Sequence, residues 1–130
     1  MPDTSYDLHG VRVFECAAEG ALIRNDRDAA NLVNTAWEHH ARLVVMPIER
    51  LGDDFFRLKT RIAGEVIQKF VTYHMRVAIV GDISRYVAES SALRDFVYES
   101  NRGDQVWFVT TREELAERLE RAQPRGARSR

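Results

Sequence analysis

Three short apolar runs constrain the architecture of this chain more tightly than any other feature. Leu43-Val44-Val45-Met46, Val77-Ala78-Ile79-Val80 and Val106-Trp107-Phe108-Val109 are each of strand length and apolar at every position. A strand with one face in water alternates apolar and polar residues, whereas a strand covered on both faces does not. The three runs therefore read as strands buried between layers. The segments between them are long enough for crossover helices. One carries an apolar stripe at steps of three and four, through Phe55, Leu58, Ile62, Val66 and Phe70, with Ala63 and Ile67 beside it. Buried strands alternating with amphipathic helices imply right-handed crossovers and a largely parallel sheet.

The other elements follow from local pattern. Val11-Arg12-Val13-Phe14-Glu15-Cys16 alternates as a half-buried strand, Glu19-Gly20 turns the chain, and Ala21-Leu22-Ile23 reads as a short second strand. Asn25 or Asp26 caps a helix running through Trp37, with Ala29, Leu32, Val33 and Ala36 at helical spacing. The striped segment predicts a helix from Asp53 to about Tyr73, with Asp53 and Asp54 in its first turn. A further helix is expected from Val87 to Asn101, stopped by Gly103, and a last one is capped by Thr110 or Thr111 with Leu115 and Leu119 inward. The expected fold is α/β, with a mainly parallel sheet of about five strands and the order β-β-α-β-α-β-α-β-α. Residues 1–123 read as a single domain and 124–130 as a basic disordered tail.

Composition narrows the partners. At 130 residues, 45% hydrophobic and 30% charged, the chain can bury a core of one ordinary domain. Lys plus Arg number 19 against 20 Asp plus Glu, which disfavours a nucleic-acid binder relying on positive excess. Setting aside Arg125, Arg128 and Arg130 leaves the remainder mildly acidic. Cys16 is the only cysteine, so an internal disulfide and a multi-cysteine metal site are excluded. Met1–Asp7 is polar and acidic, unlike a signal peptide, and the longest apolar run, Leu43–Ile48, is far short of a membrane span. The expected compartment is the cytoplasm.

The stretch from Asp53 to Gly103 resembles a known family. Asp54-Phe55-Phe56-Arg57-Leu58-Lys59-Thr60 and Ala63-Gly64-Glu65-Val66-Ile67-Gln68-Lys69-Phe70 resemble the opening signature of domain-of-unknown-function family 4180. Ala78-Ile79-Val80-Gly81-Asp82 and Leu93 through Gly103 resemble its remaining blocks. This resemblance implies a fold and no mechanism. The element order is also that of the sulfate-transporter and anti-sigma-factor-antagonist (STAS) fold. Proteins of that fold often act as small cytoplasmic interaction modules, switched by phosphorylation of a Ser or Thr at a helix start. The corresponding place here is Gly52-Asp53-Asp54-Phe55, where acids stand instead of the hydroxyl.

Several side chains have chemistry to offer. Lys59, Thr60, Glu65, Gln68 and Lys69 share one expected helix, with Glu65 and Lys69 in the favoured i,i+4 order. A solvated helix face is the simpler reading; a polar surface meeting an anion is the sharper one. Thr60 and Gly64 are small residues four apart, suited to core packing or a dimer contact. Asp82 follows a strand's carboxyl end, where ligands gather in parallel sheets, although capping the next helix explains it more simply. Arg94 and Tyr98 share one helix face, and Asp95 and Glu99 another. His39-His40 suits a helix C-terminus, and His9 and His74 are isolated, so no four ligands converge for zinc. Cys16 reads as a buried strand residue rather than a nucleophile. No cofactor is expected, because there is no Walker loop, dinucleotide glycine fingerprint or nucleophile elbow.

Two functions remain in view. The first is a self-associating or partner-binding regulatory module that uses the two polar helices as its surface. The second is a small enzyme or small-molecule binder, possessing a polar pocket built from Lys59, Glu65, Asp82, Arg94 and Tyr98 and taking a small anionic ligand. In either case the candidate site is Lys59, Glu65, Lys69, Asp82, Arg94 and Tyr98.

Overall fold

A computed structural model describes residues 3–122. Its centre is a five-stranded sheet of β1 (Thr4–Leu8), β2 (Val11–Glu15), β3 (Leu43–Pro47), β4 (Arg76–Val80) and β5 (Val106–Val109), side by side in chain order. β1 runs antiparallel to β2. All other neighbours are parallel, with Val13 opposite Leu43, Leu43 opposite Arg76 and Val77 opposite Val106. The α/β class and the mainly parallel sheet of five strands are as expected.

Helices α1 (Asp26–Glu38), α2 (Ile62–Thr72), α3 (Ser84–Glu89) and α4 (Ser91–Arg102) connect the parallel strands, and α5 (Arg112–Ala122) follows β5. With strands adjacent in chain order, right-handed crossovers place every connecting helix on one face. On that face Phe14, Val44, Met46, Val77, Ile79 and Phe108 of the sheet pack against Ala29, Val33, Val66, Phe70 and Leu93. The opposite face, with Val13, Leu43, Val45, Ala78 and Trp107, is closed by Leu115 and Leu119 of α5. This two-sided burial is why the strand runs contain no polar residue. Among the described residues no helix is long and apolar enough to cross a membrane.

Three expected elements differ. Ala21–Ile23 is not a strand. Arg50 holds it as a loop: Nε donates to the Ala21 carbonyl at 2.8 Å, Nη1 to that of Ala17 at 3.0 Å, and the Ile23 N–H donates to the Arg50 carbonyl at 2.8 Å. The partner of β2 is instead β1, and its register is held by polar groups. The Tyr6 hydroxyl donates to Glu15 Oε1 at 2.6 Å, and Arg112 of α5 grips Oε2 of the same carboxylate. Glu15 is only 9% exposed, so this double engagement offsets the cost of burying its charge.

The helix expected from Asp53 is broken into two 3-10 turns, Asp53–Phe56 and Leu58–Thr60, before α2 starts at Ile62. Phe55 and Phe56 are both buried, and consecutive residues of an α-helix point about 100° apart, so one regular helix face does not serve both. The Thr60 hydroxyl lies 2.8 Å from the carbonyl oxygens of both Asp54 and Arg57, drawing them away from helical partners. The helix expected over Val87–Asn101 is divided at Ser90. That residue is extended, and its Oγ accepts from Leu93 N at 3.1 Å, capping α4. The expected tail lies outside the described residues.

Candidate functional site

Because β2 to β5 are parallel, their carboxyl ends share one edge of the sheet, where the loops after β3 and β4 rise beside each other. Between those loops opens a cleft of about 510 Å³. The segment Asp53–Lys59 forms one wall, and Arg85, Tyr86, Glu89, Ser90 and Ala92 form the other. The break in the helix after β3 puts Asp53 here: a regular helix from Gly52 onward would carry the chain away from α3.

Asp53 joins the walls. Its Oδ1 accepts from the Tyr86 hydroxyl at 2.5 Å and from Arg85 Nη2 at 3.1 Å, and Arg85 Nη2 also donates to the Tyr86 oxygen at 2.7 Å. The Tyr86 hydroxyl, and behind it the Arg85 guanidinium, hold the Asp53 carboxyl below the usual carboxylate range. Burial first, and then the bond to Asp53, push the Tyr86 phenol above its ordinary value. Phe56 stacks on the Tyr86 ring with centroids 4.6 Å apart and planes 15° apart, while Arg85 lies over the same ring at 4.6 Å. The floor is thus a rigid aromatic pair, and the rim is charged.

The rim is unevenly neutralised. Arg57 pairs with Asp54 at 2.8 Å and Arg85 with Asp53 at 3.1 Å. Lys59 lines the cleft and is exposed, with no ion-pair or hydrogen-bond partner among the described residues. An ammonium lining a cleft with a stacked aromatic floor suits a carboxylate or phosphate oxygen. Among the described residues no three His, Cys, Asp or Glu side chains gather as metal ligands.

Of the residues chosen from sequence, only Lys59 lines this cleft. Asp82 caps the turn into α3, its Oδ1 accepting from Ser84 N at 2.9 Å, and that bond holds its carboxyl below the ordinary range. Glu65 is exposed in the first turn of α2. Lys69 turns toward α1, with Nζ 3.9 Å from Asp26 Oδ2 and 5.8 Å from the Tyr73 ring centre. Arg94 and Tyr98 are exposed on α4, where Arg102 lies 5.9 Å from the Tyr98 ring centre. Gly64 faces open space rather than a neighbouring backbone. Sequence reasoning missed Arg85 and Tyr86, and placed Asp53 at a helix start and at the position of the STAS phosphorylation switch, but not among the site residues. The available signal was positional: both segments directly follow buried parallel strands, at the edge where ligands collect.

No curated protein and no solved structure matches the chain. A family model matches residues 8–119, from the last residue of β1 to Leu119 of α5, so both walls of the cleft lie within the match. The chain belongs to that family, the domain of unknown function DUF4180.

Proposed function

We propose that this domain is a regulatory recognition module acting through protein–protein contact, and that the cleft receives an acidic segment of its partner. The observation carrying this reading is Lys59, an unneutralised cation on the rim beside the stacked Phe56 and Tyr86. The surrounding ion pairs, Arg57–Asp54 and Arg85–Asp53, are exposed and screened by solvent, so a competing carboxylate can share those guanidiniums at small cost. The resemblance of the sequence to STAS-like domains, which often act as small cytoplasmic interaction modules, supports the same reading by analogy of fold.

The test is an NMR titration of the isotope-labelled chain with a hexaglutamate peptide, with hexalysine as control. Saturable shifts concentrated at residues 53–60 and 85–92, seen with hexaglutamate only and lost in Lys59→Glu, are expected. Absence of saturation, or shifts unchanged in Lys59→Glu, would refute the proposal.

A further inference from the structure

A second hollow lies at the opposite end of the sheet, where β2, β3 and β4 begin. It encloses about 640 Å³, and Arg12, Arg42, Arg76, His40 and His74 line it against one carboxylate, Asp7. An adjoining recess of about 390 Å³ shares Val11, His74 and Arg76 with it and adds Gln105.

Two observations distinguish this place from scattered surface charge. Arg12 lies on β2, Arg42 immediately precedes β3, and Arg76 is the first residue of β4. Arg42 N donates to the Arg12 carbonyl at 2.8 Å, and the next residue, Leu43, lies opposite Arg76. Arg12 and Arg42 are therefore held side by side by the backbone, with Arg76 at the start of the next strand, about 4.8 Å further on. Arg12 reaches Asp7 at 3.4 Å, and Arg76 is committed to the Asp104 carbonyl at 2.7 Å and to the Trp107 ring at 4.9 Å. The Arg42 guanidinium has no ion-pair or hydrogen-bond partner among the described residues. In the recess, moreover, Gln105 Oε1 is buried with no hydrogen-bond partner. Leaving a buried acceptor unpaired is unfavourable, and a ligand that donates an N–H or O–H to it would recover that loss.

The helix ends at this edge oppose an anion. α1 and α2 finish here, and their last carbonyls carry partial negative charge. His40 and His74 directly follow the two helix caps, His39 and Tyr73, and are placed to offset those ends. The guanidiniums of Arg12 and Arg42, on and just before the strands, go beyond what the helix ends require.

We propose that the amino end of the sheet binds an organic phosphate of sugar or nucleoside size. Its phosphate sits between Arg12, Arg42 and the two imidazoles, where the planar guanidinium fork matches phosphate oxygens. Its hydroxyl or amino group donates to Gln105 in the recess. This site is separate from the cleft at the carboxyl end and does not depend on it.

Calorimetric titration of the full chain at constant ionic strength tests the assignment, with ribose 5-phosphate, adenosine monophosphate and inorganic pyrophosphate as probes. One molecule per chain is expected, with at least one organic phosphate bound about tenfold more tightly than pyrophosphate; the tighter of the two separates a sugar from a nucleoside source. Arg42→Gln should weaken every probe by about tenfold, Gln105→Leu should remove only the organic preference, and Lys59→Gln should change nothing. Thermal unfolding of each variant confirms that it is folded. The proposal is overturned if no probe saturates, if pyrophosphate binds as tightly as both organic ligands, if Arg42→Gln binds normally, or if Lys59→Gln weakens binding equally.

Discussion

The two ends of the sheet make the same backbone demand and meet it with different residues. After β2, β3 and β4 the chain turns through positive φ at Gly20, Gly52 and Gly81. Before β2, β3 and β4 it does so at His9, His40 and His74, with Gly10 beside His9. The reason is steric. Gly81 has φ 150°, outside the left-handed helical region, and an added Cβ would sit 2.5 Å from Ile48 Cγ1. The histidines have φ of 50°, 61° and 57°, within the left-handed region that an L residue enters at about 1–2 kcal/mol. At the carboxyl end, the turn at Gly81 therefore excludes a side chain. The amino end tolerates side chains, and carries imidazoles where glycine would be less strained. Strain retained beside a cationic hollow is an observation from which function can be inferred.

The largest effect should come from forcing a side chain into the carboxyl end. Gly81→Ala combines an unfavourable φ with a collision against Ile48, and should cost about 3 kcal/mol, lowering the melting midpoint by about 10 °C. Thermal unfolding followed by circular dichroism measures it. A loss below about 1 kcal/mol would show that Ile48 and the strand end yield easily, and the steric contrast between the ends would collapse.

Cys16 examines the same end by its protonation. It follows β2, is 2% exposed, and donates its N–H to the Val45 carbonyl at 2.9 Å. Burial first, with the Asp3 charge adding to it, pushes its thiol from 9.0 up to about 12. The folded chain thus keeps a proton that the unfolded chain releases. The stabilisation is fully present below pH 9 and is lost as pH rises from about 9 towards 12, by about 1.4 kcal/mol per unit. Urea unfolding at pH 8 and pH 10, compared with Cys16→Ala, isolates this slope. Native thiol labelling at pH 8 should proceed no faster than global unfolding, and rapid labelling would mean that the carboxyl end opens locally.

These contrasts also explain what was legible in the sequence. The runs at 43–46, 77–80 and 106–109 were readable because two-sided burial leaves no polar position to confuse the pattern. β1 was not, because its register depends on Tyr6, Glu15 and Arg112, and the last two are 97 residues apart. Glu15 looks in sequence like the solvent side of a strand, yet it lies beneath α5. The break before α2 was hidden because Phe55 and Phe56 fit a helical stripe singly and not together. Spacing puts Arg94 and Tyr98 on one helix face, but spacing does not say what the face meets. Asp53 and Tyr86 meet across 33 residues through the parallel crossover, a tertiary event that local pattern does not record.

The smallest effect tests the amino end from the opposite direction. His74→Gly relieves left-handed strain of about 1–2 kcal/mol, while glycine's extra freedom in the unfolded chain takes back about 0.5–1 kcal/mol. The net expectation is a gain of about 0.5 kcal/mol, measured by urea unfolding at pH 7. The same variant should weaken ribose 5-phosphate or adenosine monophosphate binding, because the imidazole lines both the hollow and the recess. Stability and binding then move in opposite directions, which identifies a side chain retained for its ligand. If His74→Gly instead lowers stability, the imidazole is holding the C-terminus of α2, and the amino end is as structurally determined as the carboxyl end. His40→Gly repeats the comparison at α1, where the same backbone geometry should produce the same sign.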